Sequence, residues 1–270
     1  MAELGVHGVG VRFGGLVALE DVSFDVPERS VVGVIGPNGA GKTTLFNVVS
    51  GFVRPTSGSL VWDGHPFHPA PDRLARTGIS RTLQAVGLFA HMTALENVMV
   101  GAAGLRRTGF VSALLALPRT DRDERRLREE SLRLMERLDV ADVADRLPAT
   151  LPYPVQKRVA LARALVCRPR LLMLDEPAGG LGAEDFAPLA DLIRGLPQGD
   201  EPCSVLLVEH HMDLVMEVCD RVVVLDFGRL VAAGTPDEVR SDPKVAAAYL
   251  GTDVPPEAGP VQLAGADGPS

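Results

Sequence analysis

The stretch Ser30-Val-Val-Gly-Val-Ile-Gly-Pro-Asn-Gly-Ala-Gly-Lys-Thr43 decides the fold. It is apolar from Val31 to Ile35, which is typical of a buried parallel strand. Residues 36–43 match the pattern G-x-x-x-x-G-K-[ST] of a phosphate-binding loop. Residues 42–50 then have helical character, with an end near Gly51. A strand, a glycine-rich loop and a helix in this order predict a P-loop nucleoside triphosphatase core.

The chemistry of this loop follows from its residue types. Glycines let the main-chain N–H groups turn inward around phosphate oxygens, and the positive end of the following helix faces the same oxygens. The Lys42 ammonium can reach the β- and γ-phosphates, the Thr43 hydroxyl can bind Mg²⁺, and Thr44 can add a contact to the α-phosphate. The predicted nucleotide-binding residues of the loop are Gly36, Pro37, Asn38, Gly39, Ala40, Gly41, Lys42, Thr43 and Thr44.

A second group of polar residues follows the apolar stretch Leu171-Leu-Met-Leu174. Asp175 and Glu176 come directly after it, and the carboxyl end of a parallel strand faces the ligand crevice in this fold class. The sequence therefore predicts that Asp175 holds Mg²⁺ and that Glu176 acts as the general base that activates the attacking water.

The rest of the chain places this core in an α/β fold. Alternating runs predict antiparallel strands near the N-terminus, and residues 84–165 are mostly helical. The predicted strands are Val9–Phe13, Asp21–Val26, Ser59–Asp63, Leu171–Leu174, Ser204–Val208, Arg221–Leu225 and Leu230–Ala233. The prediction is a mostly parallel sheet with an N-terminal antiparallel β layer and a helical subdomain inserted at about 85–165. One domain would span residues 1–250, and the tail 251–270, rich in Pro, Gly and Ala, is predicted to be disordered.

Composition excludes several classes of protein. The formal net charge of −8 disfavours nucleic-acid binding, which needs clustered basic residues. Cys167, Cys203 and Cys219 lie in or beside apolar runs, so we predict buried thiols in a reducing compartment rather than disulfides. We expect no signal peptide, because Met1–Gly10 lacks a basic segment followed by an apolar stretch, and the sequence has no apolar run of about 20 residues, so we expect any membrane role to require a partner.

Together these residues resemble the ATP-binding-cassette family over residues 4 to about 250. The resemblance implies three further site residues. Phe13 would stack on adenine, Gln84 would sense Mg²⁺ and the attacking water, and His210 would bond the γ-phosphate. His211 is the alternative if the register differs by one residue.

Four segments resemble one subgroup, the ATPase subunits of branched-chain amino acid importers. They are Arg12–Leu16, Met92–Asn97, Val208–Val215 and Ala248–Gly251. The resemblance implies Mg²⁺-ATP as the cofactor, transmembrane permease subunits near Leu88–Met92, a second ATPase subunit and, indirectly, an extracytoplasmic binding protein. It also implies a peripheral location on the cytoplasmic face of the plasma membrane.

One loop departs from the family pattern. The signature loop Leu-Ser-Gly-Gly-Gln, or Leu-Ala-Tyr-Gly-Gln in the subgroup, is Leu151-Pro-Tyr-Pro-Val155 here. Pro154 removes an N–H donor, Val155 removes a glutamine, and Gly182 stands where relatives carry Asp or Asn. We therefore predict an asymmetric pair, in which a homologous partner with an intact signature completes the site of this chain.

Two alternative functions remain open from the sequence. The chain could be a non-hydrolysing regulatory subunit, although its Glu176 and His210 argue against this. It could also be a soluble P-loop ATPase unconnected with transport, although the chain has neither a long coiled coil nor a second cassette.

Overall fold

Two β-sheets with a helix between them form the centre of the fold. The computed structural model describes residues 2–82, 86–102 and 118–250. The smaller sheet is antiparallel, as predicted, with strand order β2-β1-β4-β5. Its strands are β1 (Ala2–Phe13), β2 (Leu16–Pro27), β4 (Ser57–Trp62) and β5 (His65–Phe67).

The larger sheet has six strands in the order β10-β9-β3-β8-β7-β6. They are β3 (Val31–Ile35), β6 (Ile79–Arg81), β7 (Leu171–Asp175), β8 (Ser204–Val208), β9 (Arg221–Asp226) and β10 (Arg229–Gly234). All neighbours are parallel except β9 and β10, which form an antiparallel hairpin. The predicted strands are confirmed. The edge strand β6 was not predicted, because three residues are too few to show the alternation of apolar and polar residues that indicates a strand.

Both faces of the larger sheet are buried, which explains its continuous apolar strands. In β3, Val32 and Val34 face the cluster that contains the first helix, α1 (Lys42–Val49), and the antiparallel sheet. Val31 and Ile35 face the second cluster, which contains the remaining helices. The alternation follows from the two-residue period of a strand.

The helices α2 (Ala94–Gly101), α3 (Pro118–Arg137) and α4 (Tyr153–Leu165) fall within the predicted insertion. We call them the helical segment; whether they form a separate subdomain stays a prediction. The helix α3 packs on the core through Leu127, Leu132, Leu134 and the fully buried Met135, and Leu138, the residue after the helix, joins the same cluster. The later helices are α5 (Ala183–Gly195), α6 (Met212–Val218), α7 (Pro236–Ser241) and α8 (Pro243–Leu250).

The cysteine prediction is correct for two of the three thiols. Cys203 and Cys219 are buried, and burial raises the pKa of each to about 12. Cys167 is only partly buried; it lies two residues after the end of α4, and its thiol contacts the Ser80 hydroxyl. The predicted disorder of residues 251–270 falls outside the described residues. Within the described ranges, no helix is both long and apolar enough to cross a bilayer.

Candidate functional site

The strand ends of the larger sheet bring the predicted site residues to one edge. The sheet register pairs Asp175 with Val208 and Val208 with Val34, so these three residues lie level on β7, β8 and β3. The glycine-rich loop begins two residues after Val34, Glu176 follows Asp175, and His210 follows Val208 by two residues. The loop, the two carboxylates and the histidine therefore share this edge, which is where open α/β sheets bind ligands.

All three glycines of the loop have positive φ, and two of them are also closely approached by other backbone groups. Gly36 and Gly41 have φ values of 149° and 101°. A Cβ atom at Gly36 would lie 2.1 Å from the Leu225 carbonyl oxygen, and one at Gly41 would lie 2.7 Å from the Ala18 carbonyl oxygen. Gly41 also precedes α1 as its N-cap and has no side chain to accept from the first helical amides. Those N–H groups are therefore available to an anion.

The Lys42 ammonium is folded back onto its own loop. Its Nζ donates to the carbonyl oxygens of Gly36, at 2.6 Å, and Pro37, at 2.9 Å. Burial lowers the pKa of Lys42, and the Glu176 carboxylate partly offsets this effect. A buried ammonium beside unpaired helix amides makes a strongly electropositive pocket for phosphate.

Asp175 has a partner that the sequence did not indicate. Its carboxylate is buried, and Oδ2 accepts from the Arg81 guanidinium at 2.9 Å. The same guanidinium donates to Asn47 Oδ1 of α1 and to Oγ of its C-cap Ser50, both at 2.8 Å, and lies over the Phe46 ring. Arg81 therefore connects the end of β7 to the phosphate-loop helix.

Glu176 and His210 face each other beside the loop. The distance from His210 Nδ1 to Glu176 Oε1 is 4.0 Å, and both side chains are partly exposed. The His211 ring packs edge-on against Phe186, with ring centroids 5.2 Å apart. The structure thus brings His210 next to Glu176 and directs His211 to α5.

The remaining predicted site residues have distinct positions. Phe13 is the last residue of β1 and is 51% exposed. It lies on the β1–β2 hairpin, and the carbonyl oxygen of Ala18 in the same hairpin lies beside Gly41. Thr43 is exposed at the start of α1, and Thr44 is half-buried. Gln84 lies outside the described residues.

The altered signature loop is folded as the start of α4. Pro152 is the N-cap of this helix, and Pro154 lies in its first turn, where an N–H has no intrahelical partner in any case. The half-buried Val155 packs against the core cluster, and the Tyr153 ring lies against Gly180. Gly182 is the N-cap of α5 and supplies no side-chain bond. The fold therefore accommodates both departures, but these positions lose polar groups that could contact a partner subunit.

Two charged residues near Glu176, one half-buried and one buried, were also missed. Lys157 of α4 donates to main-chain carbonyls after β7, and Glu209 at the end of β8 accepts main-chain N–H groups. Glu209 offered one signal in the sequence, as an acidic residue between an apolar strand and a histidine pair. Lys157 offered another, since the chain has only three lysines and Lys42 is one of them.

Comparisons with known proteins find two family models in this chain. The model described as ABC transporter matches residues 19–179, more than half of the chain, and the model described as branched-chain amino acid ATP-binding cassette transporter matches residues 229–255.

Curated relatives match over almost their whole length. The chain is 43% identical over 249 residues to the high-affinity branched-chain amino acid transport ATP-binding protein BraF of Pseudomonas aeruginosa. It is 41% identical to the protein LivG of Salmonella typhimurium and 39% identical to LivG of Escherichia coli K12, which carry the same description. Each match covers 92% of this chain and 97% of the relative.

Solved structures match the fold. A nucleotide-free ATP-binding cassette from an ABC transporter is 28% identical, with a TM-score of 0.78, over 92% of this chain and 99% of that one. The ADP conformation of an ATP-binding cassette of an ABC transporter is 26% identical, also with a TM-score of 0.78, over 93% of this chain and 99% of that one.

Proposed function

Because this chain belongs to the ABC transporter family of ATP-binding cassettes, we propose that it is the ATPase subunit that energises an importer of branched-chain or related amino acids. The observation that carries the amino-acid class is the second family match at residues 229–255, which lies outside the residues matched by the general ABC transporter model. The two matches favour this function over the regulatory and the transport-independent alternatives.

ATP binding requires a change of hydrogen-bond partners in the loop. The Lys42 ammonium would leave the Gly36 and Pro37 carbonyls for the β- and γ-phosphate oxygens. The exchange is favourable because hydrogen bonds to a charged acceptor are stronger than those to a neutral carbonyl. The unpaired amides at the start of α1 would bind the same phosphates, and the exposed Phe13 ring would cover the adenine.

The donor set at the sheet edge fits a magnesium ion. Mg²⁺ prefers oxygen ligands, and the edge offers the Thr43 hydroxyl and the Asp175 carboxylate, whose Oδ2 already pairs with Arg81. Thr43, Asp175 and Gln84 would hold the ion, which when bound neutralises charge on the transferring phosphate.

Hydrolysis would depend on the pair formed by Glu176 and His210. The Glu176 carboxylate would accept a hydrogen bond from the attacking water and draw off its proton. His210, 4.0 Å from that carboxylate, would donate to a γ-phosphate oxygen and keep the water and the phosphate in line. Neither side chain is fully buried, so both can reach a ligand at this edge.

The partners follow from the same proposal. Permease subunits would contact the exposed apolar side chains of Phe89 and Met92, on the cytoplasmic face of the membrane. A second ATPase subunit would face the phosphate loop, and a binding protein would deliver the amino acid outside.

Reconstitution tests the function directly. The chain should be assembled in proteoliposomes with its permeases, its ATPase partner and the binding protein, and loaded with Mg²⁺-ATP. We expect ATP-dependent uptake of labelled leucine, isoleucine or valine in excess of labelled lysine. Hydrolysis without uptake of any aliphatic amino acid would contradict the substrate class alone, whereas absence of Mg²⁺-dependent hydrolysis would contradict the function.

The signature loop leads to a prediction about asymmetry. In a heterodimer, removing the catalytic glutamate of the partner should leave single-turnover hydrolysis almost unchanged, while Glu176→Gln should lower it by about 10²-fold or more. The reason is that Pro154 and Val155 cannot supply the donors that close the partner's site. Each lost bond to a charged group costs ~1.5–3 kcal/mol, about tenfold or more in closure.

Restoring the loop provides the matched variant. Pro154→Gly combined with Val155→Gln should raise hydrolysis at the partner's site by at least about tenfold, measured with Glu176→Gln present. Equal rates from the two sites in the unmodified complex would argue against the asymmetry.

A further inference from the structure

The loop after β7 holds Glu176 in an unfavourable conformation. Glu176 has a φ of 49°, in the left-handed region that side chains other than glycine rarely adopt. Its N–H donates to the Val208 carbonyl oxygen, and its own carbonyl accepts from the Gly179 N–H. Such a conformation persists only where neighbouring groups over-determine it. A half-buried lysine and a buried glutamate from other elements do this here.

Lys157 reaches this loop from the helical segment. Its Nζ donates to the carbonyl oxygens of Glu176, at 3.3 Å, Pro177, at 2.7 Å, and Gly179. An ammonium has three donor hydrogens, so all three have acceptors in the loop. The ammonium also lies 5.3 Å from the centroid of the Tyr153 ring. All three hydrogen bonds of the Lys157 ammonium are thus made to the loop that carries Glu176.

Glu209 reaches the same loop from the end of β8. It is fully buried, and its Oε1 accepts from the Ala178 N–H at 2.7 Å. Its Oε2 accepts from the N–H groups of His210, at 2.9 Å, and His211, at 3.2 Å. One carboxylate therefore ties the loop of Glu176 to the loop of His210 through main-chain contacts.

We propose that Lys157 and Glu209 are positioning residues that hold the loop of residues 176–179 from two sides and so set the Glu176 carboxylate against His210. The inference rests on the proposed hydrolysis at Glu176. Lys157 lies on α4, one turn after Pro154, so a displacement of the helical segment is passed to the loop of the general base through three hydrogen bonds. A misplacement of about 1 Å at a reacting group can lower a rate 10²-fold.

Two substitutions test the pair in the assembled transporter. Lys157→Met keeps the aliphatic stem and removes the three donors, and Glu209→Gln keeps the size but replaces one acceptor oxygen by an NH₂ group that must face an N–H donor. We expect kcat to fall about 10- to 100-fold in each, with ATP affinity within about twofold, because neither residue contacts the phosphate loop. Lys244→Met, an exposed lysine on α8, is the matched control and should leave kcat unchanged.

A double-mutant cycle separates positioning from general stability. In a Glu176→Gln background, Lys157→Met should lower the single-turnover rate by less than about threefold, since the base that it positions is already absent. Equal losses with and without Glu176, or unchanged kcat in both single variants while the unmodified complex hydrolyses ATP, overturn the proposal. If Lys157→Met fails to fold, the same double-mutant cycle is measured with Lys157→Gln and with Glu209→Gln. No hydrolysis by the unmodified complex would instead contradict the proposed function.

Discussion

Replacing Glu176 by Gln is expected to lower kcat for ATP hydrolysis by about 10²–10⁴-fold, the usual contribution of a general base. The amide has nearly the same size as the carboxylate but cannot take the proton of the attacking water. The phosphate loop and the Lys42 contacts remain, so ATP affinity should be unchanged or higher. A complex that binds ATP and does not hydrolyse it should therefore accumulate.

The measurement is phosphate release in a single turnover, together with equilibrium binding of a fluorescent ATP analogue. Glu124→Gln, an exposed acidic residue on α3, is the control for the loss of one charge. A rate within threefold of the unmodified complex would show that Glu176 is not the base. The neighbouring carboxylates of Asp175 and Glu209 are buried, with hydrogen-bond donors of their own, and are poor substitutes for it.

Replacing Lys42 by Ala is expected to lower ATP affinity and hydrolysis by about 10²-fold or more. The ammonium would make two hydrogen bonds to phosphate oxygens, and each bond to a charged group contributes about 1.5–3 kcal/mol. The substitution also leaves the Gly36 and Pro37 carbonyls without this donor, so a decrease in melting temperature should accompany the loss of binding.

Isothermal titration with Mg²⁺-ATP, together with a thermal melt of the same sample, separates the two effects of this substitution. Lys244→Ala is the matched control, because Lys244 is exposed on α8. Undiminished ATP affinity of a folded Lys42→Ala protein would refute the phosphate-binding role of the loop and, with it, the proposed function.

Local patterns in the sequence predicted most of the fold. A buried strand followed by a glycine-rich loop fixes the position of Lys42, because all the required contacts lie within eight residues. The same holds for Asp175 and Glu176, because the apolar run that precedes them predicts a buried strand without any further context. The family resemblance then supplied His210, which no local rule distinguishes from His211; the ring packing on Phe186 makes that distinction in the structure.

The contacts that hold the site were not predictable from these patterns. Arg81 and Asp175 are 94 residues apart, and Ala178 and Glu209 are 31 apart. In the sequence, an arginine at the end of a short strand or a lysine on an amphipathic helix cannot be distinguished from a surface residue. Only the pairing of β6, β7 and β8 in one sheet brings such side chains to the same edge, and that pairing is a property of the whole chain.

The contact between Arg81 and Asp175 affects what happens between catalytic cycles. A buried carboxylate without a counter-charge is costly, and in many metal sites the cation alone meets this need. Here the guanidinium supplies the opposite charge and also anchors to the helix that follows the phosphate loop. After release of the products and of the proposed cation, the Asp175 carboxylate would therefore keep a counter-charge, and the end of β7 would stay connected to the helix that follows the phosphate loop.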